Sequence, residues 1–426
     1  MPVPNDAPAG SGIDIASVFR HEHGRVFGAL VRQLGDFDRA EDAIQEAFLV
    51  ALQLWPAQGT PRRPAAWITT VARNAALSAH RHQALATRKH EALAEQAKAQ
   101  ALVQAGSAAW DEDIPDERLR LIFTCCHPAL SEEARVALTL QTMCGVPTPE
   151  IARLFLARED AMAQRLVRAK RRIKETGIPF AIPSAERLEE RVEAVRSVVY
   201  LMFTAGFSSA APDAPVRSEL CAEAIHLGRV LVHLMPAEPE VRGLLALMLL
   251  HDARRAARVD ARGALVPLEE QDRSAWDQDA IAEGTRHLEE ALARGRPGPH
   301  QIQAAIAALH VQAKDAAATP WGEIRALYEE LYRRVPSPAV AVALCVSEGM
   351  ASGAAAGLAR LEQLAGSGAL EGYARAAAAR ADLLRRAGRT AEALAAYQEA
   401  IAGCANPWEA QALRRRAETL ERPGSR

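Results

Sequence analysis

The 426-residue chain is long enough for about two to four domains with cores of their own, which excludes a small scaffold stapled by disulfides or metal. Its 49% hydrophobic and 24% charged residues exclude wholesale disorder and fibrous repeats, and 5% aromatics beside abundant Ala favour helices over sheets. The formal net charge of −2 points to no partner, but residues 62–90 hold six Lys or Arg and no acid, and residues 158–174 hold seven against two acids, two islands suited to phosphate.

No apolar run is long enough to cross a bilayer, and Met1 to Gly12 lack a basic-then-apolar leader, so a cytoplasmic protein without membrane contact is expected. Asp38-Arg39-Ala40-Glu41 has capping-box spacing and opens an amphipathic helix. Its inner stripe is Ala40, Ile44, Ala47, Phe48, Ala51 and Trp55, with an end expected at Pro56. Asp42, Gln45 and Glu46 fall on the outer face. Beyond Gly59-Thr60-Pro61, Pro64 can start a second helix with Ile68, Val71, Ala72, Ala75 and Ala79 inward and Thr70, Arg73, His80 and Arg81 outward. These elements make a first domain over 13–83, followed by an Ala- and Gln-rich linker over 84–115.

In residues 116–180 the pattern predicts helices over Glu117–Cys126 and Glu132–Met143, then a short helix Ile151–Leu156 capped by Thr148, and a longer one ending near Lys174. Met162, Leu166, Ala169 and Ile173 form the packing face of that last helix, and Gln164, Arg165, Arg168, Arg171 and Arg172 its outer face. Short helix, tight link and basic helix is a helix-turn-helix arrangement, in which Arg pairs with guanine, Gln with adenine and further cations with phosphate. Cys125-Cys126-His127 sets three ligand types side by side, but adjacent helical residues diverge by about 100° and no Cys-x-x-Cys pair exists, so small buried thiols and no metal or other cofactor are expected.

At these residues the chain resembles RNA polymerase sigma factors of the extracytoplasmic-function type. Residues 38–48 look like their region 2 entry helix, Trp67 to Asn74 like the promoter-melting helix, and Glu150-Ile151-Ala152 with residues 164–170 like region 4. Residues 118–130 and Gly177-Ile178-Pro179-Phe180 are similar to the subgroup with a long helical C-terminal extension. That resemblance continues through Glu270-Gln271-Asp272-Arg273, Trp276 and residues 303–308. An all-α protein is therefore expected, with region 2 over 13–83, region 4 over 116–180 and a helical extension over 184–426. Within the extension, residues 371–404 resemble a tetratricopeptide repeat, with Tyr373, Leu384, Tyr397 and Ile401 expected in its core.

The resemblance implies a protein that is not an enzyme and that binds core RNA polymerase through Asp42, Gln45 and Glu46. It implies promoter reading by Gln164, Arg165 and Arg168, with Arg171 and Arg172 on phosphate. Trp67, Arg73, Asn74 and Arg81, with the loop Gly59 to Arg63, would hold the separated strand. A protein or peptide partner is expected for the stacked helices of the extension. Departures from the subgroup are Ser78 in place of an acid, Thr204-Ala205-Gly206-Phe207 in place of Asn-Glu-Gly-Tyr, Pro320 in place of Asp before Trp321, and Ala343-Leu344 in place of Asn-Arg. They point to altered strand contacts and a lost or changed pocket ligand. A helix-turn-helix regulator acting without polymerase is the alternative reading, although it gives no reason for the region 2 motifs.

Overall fold

A computed structural model describes residues 15–83, 117–155, 157–208, 215–371 and 373–421. The 84–115 linker lies outside the described residues. Those that are described form helices and turns without a strand, apart from a lone bridge between Val259 and Leu265. They divide into two compact units between Val198 and Val199, within the helix Ala185–Phe207.

The first unit begins with α1 (Ile15–Leu34), α2 (Phe37–Gln58) and α3 (Pro64–Gln83). All six residues of the expected α2 stripe are buried, and Trp55 meets Trp67 of α3 edge-on with ring centroids 5.3 Å apart. Two end points differ from the sequence expectation. The α2 N-cap is Asp36, whose carboxylate accepts from the Asp38 and Arg39 amides at 3.0 and 3.2 Å, because Phe37 already adopts helical geometry. Pro56 sits inside the last turn, since near a C-terminus it removes a single helical hydrogen bond, and the helix ends at Gly59, with φ +81°.

Four helices follow: α4 (Arg118–Cys125), α5 (Glu132–Cys144), α6 (Thr148–Leu154) and α7 (Glu159–Glu175). The short helix starts at Thr148 rather than after it and stops two residues earlier than expected, Pro147 holding the cap position and Phe155 the C-cap. On α7 the buried residues are the four of the expected packing face. Cys125 and Cys126 are buried against the Thr142 and Thr139 hydroxyls at 3.2 and 3.5 Å, and burial pushes both thiols well above their usual range. His127 accepts the Ala129 amide at 3.1 Å and so closes the turn after α4.

α1 crosses α5 at close quarters. A Cβ at Gly24 would come within 2.7 Å of the Met143 carbonyl oxygen, and at Gly145, φ +67°, it would meet the Phe19 and His23 rings at 2.6 and 2.9 Å. Gly is required at Gly145 on both conformational and steric grounds.

After α8 (Ala185–Phe207) the second unit continues with α9 (Ser218–Leu234), α10 (Pro239–Asp252), α11 (Gln278–Leu292) and α12 (Pro299–Gln312). Then come α13 (Trp321–Arg334), α14 (Pro338–Ser352), α15 (Ala354–Gly366), α16 (Arg375–Arg386), α17 (Thr390–Ala402) and α18 (Pro407–Glu421). α10, buried without interruption from Gly243 to Leu250, packs against both α11 and α12, and the later helices pack in sequential pairs. In the repeat-like pair α16/α17, Leu384 and Tyr397 are core as expected. Tyr373 and Ile401 are only half-buried, because Tyr373 precedes α16 and Ile401 lies at the edge of the buried face of α17.

Candidate polymerase and nucleic-acid interface

The outer face of α2 carries Asp42 and Gln45, both exposed, and Glu46, half-buried. It continues through Leu49 and Leu52, 56% and 55% exposed. The two leucines were missed because an amphipathic stripe is found by looking for apolar residues that face inward, and these stand at the same helical spacing on the opposite side. Their signal is the Gln45-x-x-x-Leu49-x-x-Leu52 spacing itself. This face of α2 thus sets acidic and amide groups beside two exposed leucines.

α3 presents a weaker surface than expected. Trp67 is 3% exposed and stacks in the core, so its side chain braces the helix from beneath and does not face a strand. The cause is register: Trp67 shares the inward face with Val71, which leaves Arg73 and Asn74 half-buried towards the rim. Arg62 and Arg63 are exposed in the preceding loop, and the side chain of Arg81 lies outside the described residues.

On α7, Gln164, Arg168, Arg171 and Arg172 are exposed, whereas Arg165 is half-buried. Arg165 pairs with Glu133 at 3.0 Å and lies 6.0 Å from the Phe155 ring centre, which fixes its guanidinium beside the helix-turn-helix link. The Arg168 Nε donates to the Gln164 carbonyl at 3.3 Å, and the Arg171 Nε to Glu175 at 2.6 Å. Val167, 60% exposed, adds an apolar contact to this face that the sequence reading did not pick out.

The two surfaces meet. Lys170 of α7, its side chain only 8% exposed, is ion-paired to Glu41 and, at 3.1 Å, to Asp38, both on α2. Burial pulls the ammonium pKa down, but the carboxylates outweigh it and hold the value above that of a free lysine. Lys174 reaches Asp36 at 3.2 Å, and Gln141 donates to Glu41 at 2.9 Å. On the other side, the buried Glu117 accepts from Arg32 of α1 and from Arg120, and these cations keep its carboxylate low despite burial. His23 is wholly enclosed at the α1/α5 crossing with Nδ1 3.1 Å from the Thr142 carbonyl, and burial lowers its pKa to about 4. Glu41 lies one turn from Gln45, so the C-terminal half of the basic helix is docked at the head of the α2 outer face.

Sigma-70 region 2 matches residues 18–86, Sigma-70 region 4 matches residues 120–173, and a family of unknown function, DUF6596, matches residues 191–292. An uncharacterized protein of Rhizobium meliloti (strain 1021), R00370, is 41% identical over 412 residues, covering 96% of each chain. No solved structure matches. Among the described residues no helix is long and apolar enough to cross a membrane.

Proposed function

Because the chain belongs to the extracytoplasmic-function-like sigma factors that carry a C-terminal extension, we propose that it binds core RNA polymerase through the α2 outer face and directs promoter recognition and DNA opening through α7 and α3. The observation that carries this reading is the pairing, in one unit, of a docking face (Asp42, Gln45, Glu46, Leu49, Leu52) with a basic helix-turn-helix face (Gln164, Arg165, Arg168). Arg165, held by Glu133, is positioned for base reading, while Arg171 and Arg172, later on the helix, suit phosphate. Arg73 and Asn74, with Arg62 and Arg63 at the mouth of α3, supply cations and an amide for a separated strand. Strand opening draws on binding free energy, so this role asks for no catalytic group in the chain, and the chemistry belongs to the polymerase.

The ion pairs of Lys170 and Lys174 with α2 hold these two surfaces against each other, so productive binding requires the basic helix to leave the acids. The extension is assigned a regulatory or polymerase-docking role with a protein or peptide partner, in the cytoplasm where the polymerase works. A regulator that acts without polymerase would leave the exposed Leu49 and Leu52 unexplained. Gel filtration of the full chain with core polymerase tests the assignment. Co-elution is expected for the wild type and is lost on Leu49→Glu with Leu52→Glu; co-elution of that double variant overturns it.

A further inference from the structure

The second unit contains a concentration of cations that promoter recognition does not use. Arg254 is 8% exposed, and its guanidinium donates to the His251 Nδ1 at 2.9 Å, a partner that carries no negative charge. Arg258 lies over the Phe207 ring at 4.0 Å with its Nε unpaired. Arg273 lies over Trp276 at 4.6 Å and donates Nη1 to the His310 and Ala313 carbonyls, both at 2.7 Å. Among the described residues no carboxylate stands within ion-pair distance of any of the three, although the fields of Glu409 and Asp315 reach Arg258 and Arg273. Burial and the neighbouring Arg258 and Arg273 charges pull the Arg254 pKa down to about 10, and His310 is lowered to about 4 by burial and by Arg254 and Arg273. Burying a cation such as Arg254 without counter-charge is costly, and proteins meet that cost with an anion.

Arg273 and His310 also line a cavity of about 170 Å³. Its lining combines the apolar Leu268, Trp321, Val346 and Met350 with the cationic Arg386 and Arg416, which stand with Glu269. Those two arginines are shared between Glu269 and Asp382, so the acids do not compensate Arg273 as well. We propose that this cavity binds a small organic carboxylate with an apolar body, the carboxylate on the free edge of Arg273 and the body between Trp321, Val346 and Met350. The volume admits a ring or a branched chain and rejects a nucleotide. A guanidinium whose Nη1 is fixed by two carbonyls and whose face is stacked is pre-oriented to receive a carboxylate on its remaining donors.

Isothermal titration of the full-length protein with benzoate and with 3-methylbutanoate tests this, with inorganic phosphate as comparison. At least one carboxylate is expected to bind with one-to-one stoichiometry. Arg273→Gln should weaken it by at least about tenfold. Val346→Phe, which fills the cavity from its apolar side, should abolish binding while circular dichroism and the melting temperature stay near wild type, separating loss of the site from loss of the fold. Failure of both carboxylates to bind at about 10 mM, well above the dissociation constant of a weak pocket, overturns the proposal. So does binding unchanged in both variants, or binding of phosphate alone.

Discussion

Lys170, on the basic helix, is ion-paired to Glu41, one turn ahead of Gln45 on the face assigned to polymerase, and the pair is largely shielded from water. A lysine there cannot touch a DNA phosphate while Glu41 holds it. Lys170→Glu sets one acid against two, Glu41 and Asp38, and is expected to cost the closed arrangement about 1–3 kcal/mol. Energy transfer between dyes on α2 and α7 should fall in that variant, and core polymerase should bind it more tightly. The swap Glu41→Lys with Lys170→Glu should restore the wild-type transfer. An unchanged dye distance in the single variant would show that the pair does not hold the two regions together.

The division of labour on α7 gives a second prediction. Arg165→Ala should cost about 1–3 kcal/mol at one base pair and relax selectivity there. Arg171→Ala with Arg172→Ala should weaken binding evenly across promoter variants and reduce the slope of log affinity against log salt by about two. Holoenzyme binding to a set of single-base promoter variants at several salt concentrations distinguishes them, and equal effects at every base would contradict the assignment.

For the docking face, Asp42→Lys with Glu46→Lys should weaken holoenzyme assembly without lowering the melting temperature, since both residues lie off the buried stripe of α2. Core polymerase retained equally by this variant and the wild type would remove these two residues from the interface.

His23 supplies a pH dependence with a defined sign. Its folded pKa of about 4 lies below the ordinary 6.5, so the unfolded chain binds the extra proton first on acidification. The stabilisation is complete above pH 6.5 and is lost as pH falls from 6.5 towards 4. Between pH 7 and pH 5 the His23 share of that loss is ~2 kcal/mol. Other buried histidines, His310 among them, act in the same direction, so the measurement is a difference. The fall in urea stability from pH 7 to pH 5 should be smaller in His23→Phe than in the wild type by that amount, and identical falls would show that His23 is not enclosed.

A fifth prediction follows from where the first unit ends. A cut after Phe180 discards Arg191, which donates to the Phe123 carbonyl, together with the buried Val192 and Val195. Residues 1–198 should therefore melt higher than residues 1–180, by about 2–4 °C for each kcal/mol recovered. Equal melting temperatures would place those contacts outside the stability of the first unit.

Much of the fold was legible because helical periodicity is a local property. Met162, Leu166, Ala169 and Ile173 are buried for the reason their spacing suggests. The ends of α2 were less so: Asp36 and Asp38 are equivalent as caps in composition, and only backbone geometry selects Asp36. The site divides in the same way. Gln164 and Arg168 stand on the outer face that the pattern assigns them, but Trp67 was placed by motif and is buried, because an aromatic in a strand-binding helix and one in its core look alike in sequence. Lys170 with Glu41 could not be read at all, since the partners are 129 residues apart and neither carries a signal for the other.

Run-off transcription tests the central claim most directly. Purified core polymerase, the full-length protein and a library of promoter-length DNA should yield discrete transcripts that depend on the added protein, share an upstream sequence element and shift in preference with Arg165→Ala. Transcripts no different from those of core polymerase alone, while the protein still binds the same DNA by itself, would contradict the sigma-factor account and leave a regulator that works without polymerase.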